Sequence, residues 1–232
     1  MLKGEELAVL EREVVSCRRC PRLVAWREQI AREKRASFKS EVYWGRPVPG
    51  FGDPDASVVV FGLAPAAHGA NRTGRFFTGD RSGDFLFASL YRTGFANKPD
   101  SRSKDDGLRL TGLWISAAVR CAPPQNRPTP EERDACLPYA ARELELLDAE
   151  LIVCLGAFAW DAALRLLGQR PKPKFAHGAE YRAGTFVLIG CYHPSQQNTF
   201  TGVLTPEMLD TILTRALELS GEETREGSDP VG

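Results

Sequence analysis

The sequence predicts an α/β fold: a three-layer αβα sandwich on a central four-stranded parallel sheet. Three observations carry this. Four short apolar segments, at 57–61, 113–119, 151–155 and 186–192, have the length and composition of strands. Helical patterns lie between them, and strands alternating with helices pair in parallel. The run Leu151-Ile152-Val153-Cys154-Leu155 is apolar on both faces, as a central strand covered by helices on either side must be.

In chain order, helical periodicity covers 5–15 and then 21–35, the second opening on Pro21, which suits the first helical position. The strand Ser57-Val58-Val59-Val60-Phe61 leads into a loop and a helix over 83–92. After the second strand, Thr129-Pro130 opens a helix over 130–148, and Glu132 completes a capping box on Thr129. A helix over 157–167 separates the third and fourth strands, and Thr205-Pro206 caps a last one over 206–219. At 232 residues the chain reads as a single domain over 1–220, with GEETREGSDPVG from 221 as a flexible tail.

Composition narrows the functional classes. No apolar stretch approaches the roughly 20 residues that cross a bilayer, and MLKGEELAVLEREV is too charged for a secretory signal, so a cytoplasmic location and no membrane partner are expected. In a reducing compartment the six cysteines are not expected to form structural disulfides. Thirty Lys and Arg balance thirty Asp and Glu, so net charge alone announces no polyanionic partner. The distribution is uneven: Arg18, Arg19, Arg22, Arg27, Arg32, Lys34, Arg35 and Lys39 crowd the first quarter, and Arg170, Lys172 and Lys174 form a second basic cluster.

Cys17 and Cys20 make a C-x2-C pair, Cys121 follows a strand, and Cys136 lies on or beside the next helix. One close pair plus two distant single cysteines suits an iron–sulfur cluster; zinc, which usually takes two close pairs, is the alternative. A thioredoxin-like pair would follow a strand, and this one sits in charged helical sequence. Cys154 and Cys191 read as buried free thiols.

The loops at 62–80, 120–128 and 191–202 follow strands and therefore gather at the carboxyl edge of the sheet, where ligands bind. In the first loop, Gly62 and Pro65 shape a tight turn whose small Ala64, Ala66 and Ala67 let a ligand approach backbone N–H groups. It has neither G-K-[ST] nor G-x-G-x-x-G, which argues against a nucleoside triphosphate or NAD. Of Phe76 and Phe77, one is expected to plug the core and the other to offer a ring face to a planar ligand. His193, fixed by Pro194, can donate a hydrogen bond to a developing anion.

Gly62-Leu-Ala-Pro65, then Gly74-Arg-Phe-Phe-Thr-Gly79, then His193-Pro-Ser195, together with Cys17, Cys20, Cys121 and Cys136, resemble the uracil-DNA glycosylase superfamily, and within it family 5, the type b enzymes. The resemblance runs from about residue 10 to residue 215. It implies a uracil-DNA glycosylase-like sandwich with a four-stranded parallel sheet, and a [4Fe-4S] cluster on those four cysteines. It also implies excision of uracil and other deaminated or modified bases from double- and single-stranded DNA, by a monomer associated with the nucleoid. Such an enzyme flips its target nucleotide out of the stack. Carried over by residue, Phe77 stacks on the base, the backbone of Gly62, Leu63 and Ala64 meets its carbonyl, and His193 hydrogen-bonds O2 of uracil. Ser195, Asn198 and Leu204 would engage the DNA, Leu204 as a wedge, and Arg120 and the N-terminal basic cluster would meet phosphates.

Two departures from the family 4 pattern follow: Leu63 replaces an acid, and Ala117 replaces an asparagine. Asp80 and Asn126 are the available substitutes, Asp80 to steady the cationic sugar or orient water and Asn126 to contact base or water. Their ordinary roles would be a helix N-cap and an Asx turn. A pocket without a side-chain reader rejects analogues weakly, so broad base tolerance is expected. A non-catalytic iron–sulfur protein that binds nucleic acid would keep the cysteines and the basic surface but has no need of Phe77, Asp80 and His193 on one edge.

Overall fold

The computed structural model describes residues 3–221, so the tail expected from 221 lies outside the described residues from 222 onward. The four expected strands form: β2 (Val58–Gly62), β3 (Leu113–Ala117), β4 (Leu151–Leu155) and β6 (Phe186–Cys191), all parallel neighbours. Two short strands extend the sheet, β1 (Phe51–Gly52) against β3 and β5 (Glu180–Ala183) against β6, both antiparallel. The sheet is thus six-stranded, in the order β1-β3-β2-β4-β6-β5, rather than the expected four. The added strands escape a sequence pattern because one has two residues and the other alternates exposed Glu180 and Arg182 with half-buried Tyr181.

The helices are α1 (Lys3–Ser16), α2 (Pro21–Glu33), α3 (Ala70–Thr73), α4 (Arg81–Arg92), α5 (Pro130–Leu147), α6 (Ala157–Leu166), α7 (Gln196–Phe200) and α8 (Pro206–Ser220). Alternation along each strand divides the core in two. Val58, Val60, Ile115, Leu151 and Val153 face α4 and α8; Val59, Phe61, Trp114, Ile152 and Cys154 face α5 and α6, and α1 lies along α5. These layers are the expected αβα sandwich. The capping box on Thr129 forms, with Oγ1 accepting from Glu132 N–H and Glu132 accepting from Thr129 N–H.

Two smaller apolar patches hold the N-terminal helices. Leu10 and Val14 of α1 pack on Cys136 and Tyr139 of α5, and Leu23 of α2 packs on Val119 and Cys121. A fully buried leucine such as Leu10 or Leu23 contributes about 1.5–3 kcal/mol. Both docks therefore rest on few side chains. Among the described residues, no helix is long and apolar enough to cross a membrane.

Candidate active site

Parallel pairing brings the ends of β2, β3, β4 and β6 to one edge, and the unusual residues lie there. Gly62 ends β2, and its carbonyl and that of Leu63 accept from Ala118 N–H and Val119 N–H, which ties the first loop to the second. The N–H of Ala64 has no acceptor among the described residues. The two phenylalanines divide their tasks: Phe76 is buried, whereas Phe77 is half-buried. The Phe77 ring lies over Gly62 so closely that a Cβ there would sit 3.2 Å from Cζ. Its centroid is 6.2 Å from that of the His193 ring, with the planes 38° apart.

Phe77 holds φ at +52°, the left-handed region that costs a residue with a side chain about 1–2 kcal/mol. A buried polar clamp imposes it. Thr78 Oγ1 donates to Phe76 O at 3.1 Å and accepts from Arg75 Nε at 3.1 Å. The Arg75 guanidinium also donates to Ser101 Oγ at 2.7 Å and to Asp106 Oδ2 at 2.8 Å. Gly79 N–H donates to Ser101 O at 3.1 Å. Arg75 and three backbone N–H groups hold the Asp106 carboxyl far below the usual carboxylate range despite its burial.

Asp80 caps α4, with Oδ1 accepting from Gly83 N–H at 3.0 Å. Its Oδ2 lies where a Cβ on residue 69 would be 1.9 Å away, so a side chain there would have to displace the carboxylate. Burial pushes its carboxyl above the usual value, opposed by the Gly83 and Ser82 N–H groups and by Arg72. Burial likewise drives His193 down to about 4, so its imidazole is neutral at pH ~7. The carbonyl of His193 accepts from Asn198 Nδ2 at 2.9 Å and from Ser195 N–H, while Ser195 caps α7. Ser195 and Asn198 thus fix the loop that carries the histidine.

Three expectations are corrected. Leu204 is fully buried beneath this loop, because Leu204 N–H bonds to Asn198 O and turns the chain inward; the exposed apolar side chains of this segment are Phe200 and Val203. Arg120 is 1% exposed and donates to Glu143 at 2.5 Å and to Ser116 at 3.0 Å, so it cannot reach a phosphate. Asn126 makes no Asx turn: its exposed side chain forms no hydrogen bond among the described residues, and both it and Gln125 hold a positive φ.

The four cysteines gather at one corner, two on each N-terminal dock: Cys17 beside Cys136 and Cys20 beside Cys121. Arg27, buried, donates to Cys121 Sγ at 3.5 Å, and Arg120 N–H donates to Cys136 Sγ at 3.3 Å. Burial pushes the Cys121 thiol to about 12 and Cys136 to about 11. Among the described residues, no three His, Cys, Asp or Glu side chains converge as a site for a metal ion. Cys154 and Cys191 are buried.

The model of the uracil DNA glycosylase superfamily matches residues 49–216 of the chain. The chain belongs to the uracil-DNA glycosylase superfamily. It is 56% identical over 212 residues to a type-5 uracil-DNA glycosylase of Mycobacterium bovis, covering 89% of this chain and 79% of that one. It is 53% identical over 211 residues to one of Thermus thermophilus, covering 90% and 95%. A third, of Pyrobaculum aerophilum, is 47% identical over 208 residues, covering 90% and 91%.

In this superfamily member, Arg75, Ser101, Asp106 and Gly69 form the support that sequence reasoning missed. Arg75 offers the one available signal, since it lies inside Gly74-Arg-Phe-Phe-Thr-Gly79; its partners stand 26 and 31 residues away.

Proposed function

We propose that the protein is a DNA glycosylase of the type-5 class that hydrolyses the N-glycosidic bond of uracil in DNA, leaving an abasic site for base-excision repair. The observation that carries it is the arrangement of a half-buried Phe77 ring over Gly62, the neutral His193 beside it, and the capping Asp80 on one sheet edge. The relatives, each named a uracil-DNA glycosylase, support the same activity and lend none to a non-catalytic binding protein.

A nucleotide flipped from the stack would slide its base along Phe77, with the base carbonyl toward the free N–H of Ala64. As C1′–N1 breaks, the bonding pair stays with the base and the sugar becomes oxocarbenium-like. Neutral His193 would donate N–H to O2, where negative charge develops, and removing one such donor costs about 2.7–4 kcal/mol. Asp80, with Oδ1 held by the α4 cap, would steady the cationic sugar or orient the water that adds to C1′ and releases its proton. Asn126, projecting from the neighbouring loop, would contact base or water. Ser195 and Asn198 would act by holding the His193 loop against the DNA. With Leu63 and Ala117 where relatives of the other class have polar side chains, the pocket discriminates weakly, which favours activity on other deaminated or modified bases in double- or single-stranded DNA. Chemistry of this kind requires only a monomer, in the cytoplasm at the nucleoid.

Cys17, Cys20, Cys121 and Cys136 would hold a [4Fe-4S] cluster. The donor chemistry fits, with four thiols at one corner, two receiving N–H···S bonds and Arg27 to offset thiolate charge, and binding would draw together thiols that do not converge on one point in this structure. Bound there, the cluster would keep the buried thiols deprotonated and join the N-terminal helices to β3 and α5. Equal iron and inorganic sulfide in the purified protein, against zinc alone, separates the two metal readings.

Single-turnover assay of abasic sites on uracil-containing duplex tests the activity. Asp80→Ala should retain fold and metal yet lose most excision; near-normal excision would sink Asp80's role.

A further inference from the structure

A cleft of about 680 Å³ opens between α1, α2 and the turn at 44–46. Its two carboxylates are already matched. Glu28 accepts from Arg18 at 2.6 Å and lies 3.8 Å from Arg27, and Glu11 is 3.5 Å from Lys104. Arg12, Arg32 and Arg46 also line it, and none of the three has an ion pair or hydrogen bond with an acid among the described residues. Arg46 rests over the Trp44 ring at 5.8 Å, and Arg32 acts on Glu28 only at longer range. Three guanidinium groups therefore line a cavity whose two carboxylates are ion-paired with other cations.

Trp44, which lines the cleft, ties it to the base-pocket loop. Trp44 N–H donates to Arg72 O at 2.8 Å, and the Trp44 ring packs against Gly74, which opens the turn leading to Phe77. Helix α2 works on both sides: Arg27 O accepts from Asn71 of the pocket loop, while the Arg27 side chain lines the cleft. Planar guanidinium forks match phosphate oxygens better than any neutral ligand.

We infer that Arg12, Arg32 and Arg46 form a seat for the phosphate backbone of the DNA strand flanking the damaged nucleotide, away from the bond that breaks. The inference rests on the glycosylase reading above. The seat adds affinity for long substrates and leaves the chemical step alone.

The test is the combined Arg12→Ala, Arg32→Ala, Arg46→Ala variant, whose three side chains are not buried, assayed on a long uracil duplex and on a short oligonucleotide centred on uracil. On the long duplex, KM should rise on the order of 100-fold at about 0.1 M salt, and the slope of log K against log salt should become shallower by about 2–3, one contact per arginine. Single-turnover excision at saturation, and KM for the short substrate, should not change. Arg170→Ala, Lys172→Ala, Lys174→Ala, on the second basic cluster, should leave the slope as it is. An unchanged slope in the first variant, or an equal loss in the second, would overturn the seat while excision persists. Absence of excision in the unaltered protein would instead overturn the glycosylase reading.

Discussion

His193 offers the sharpest link between burial and chemistry. Its imidazole is driven to about 4, whereas in the unfolded chain it titrates near 6.5. As pH falls, the unfolded chain takes up the proton first. Stability is therefore full above about pH 6.5 and is lost as pH falls toward the folded-state value. A gap of about 2.5 units at about 1.36 kcal/mol each gives about 2 kcal/mol between about pH 7.5 and pH 5. Because part of the ring remains accessible, solvent screening brings the expected figure to about 1–2 kcal/mol. His68 and His177 are shifted down by burial as well, so the contribution of His193 is isolated by comparison with His193→Gln. Urea unfolding at both pH values should show the variant losing about 1–2 kcal/mol less than the unaltered protein. Excision should show no increase as pH falls through 6.5, because a neutral donor is already in place at pH ~7. An equal loss of stability in both proteins, or a rate that climbs through pH ~6.5 only where His193 is present, would refute a neutral, buried imidazole.

Three further outcomes are expected. Asp80→Asn retains an acceptor for Gly83 N–H, so it should melt within about 1 kcal/mol of the unaltered protein while excision collapses, separating cap from charge. Gly69→Ala puts a Cβ 1.9 Å from Asp80 Oδ2 and should reduce kcat, although it removes no functional group. Arg75→Ala leaves buried Asp106 with only Lys98, 3.5 Å away, as a cation and takes the donor from Thr78 and Ser101, so it should cost about 1–3 kcal/mol in thermal unfolding, with Phe77 released from its left-handed backbone.

What could be read from the sequence was what is periodic or local. The apolar runs of β2, β3, β4 and β6 announced themselves because a central parallel strand must be apolar on both faces, and the caps at Thr129 and Thr205 are satisfied within three residues. Asp80 was legible as an N-cap for the same reason. Long-range features were not. Arg120 looked like a surface cation beside a cysteine, and only Glu143, 23 residues on, makes its burial tolerable. Leu204 and Val203 are equivalent in sequence, and a single backbone bond to Asn198 decides which one enters the core. The clamp on Phe77 depends on a loop whose polar residues resemble any solvated turn until Arg75 is seen to bond to them.

The two small apolar docks of the N-terminal helices set an order of events during synthesis. Glu13 and its partner Arg142 are 129 residues apart, and Arg27 and Cys121 are 94 apart. Helices α1 and α2 therefore leave the ribosome long before the strand and helix that receive them, with Leu10, Val14 and Leu23 exposed meanwhile. Contacts that close such long loops form late and give up chain entropy only once the sheet exists to reward them. These helices are made before the sheet yet are among the last elements to settle, and a nascent chain halted before α5 would present to chaperones and proteases the same helices, with Cys17 and Cys20 in the link between them, that the finished protein docks against α5 and the loop after β3.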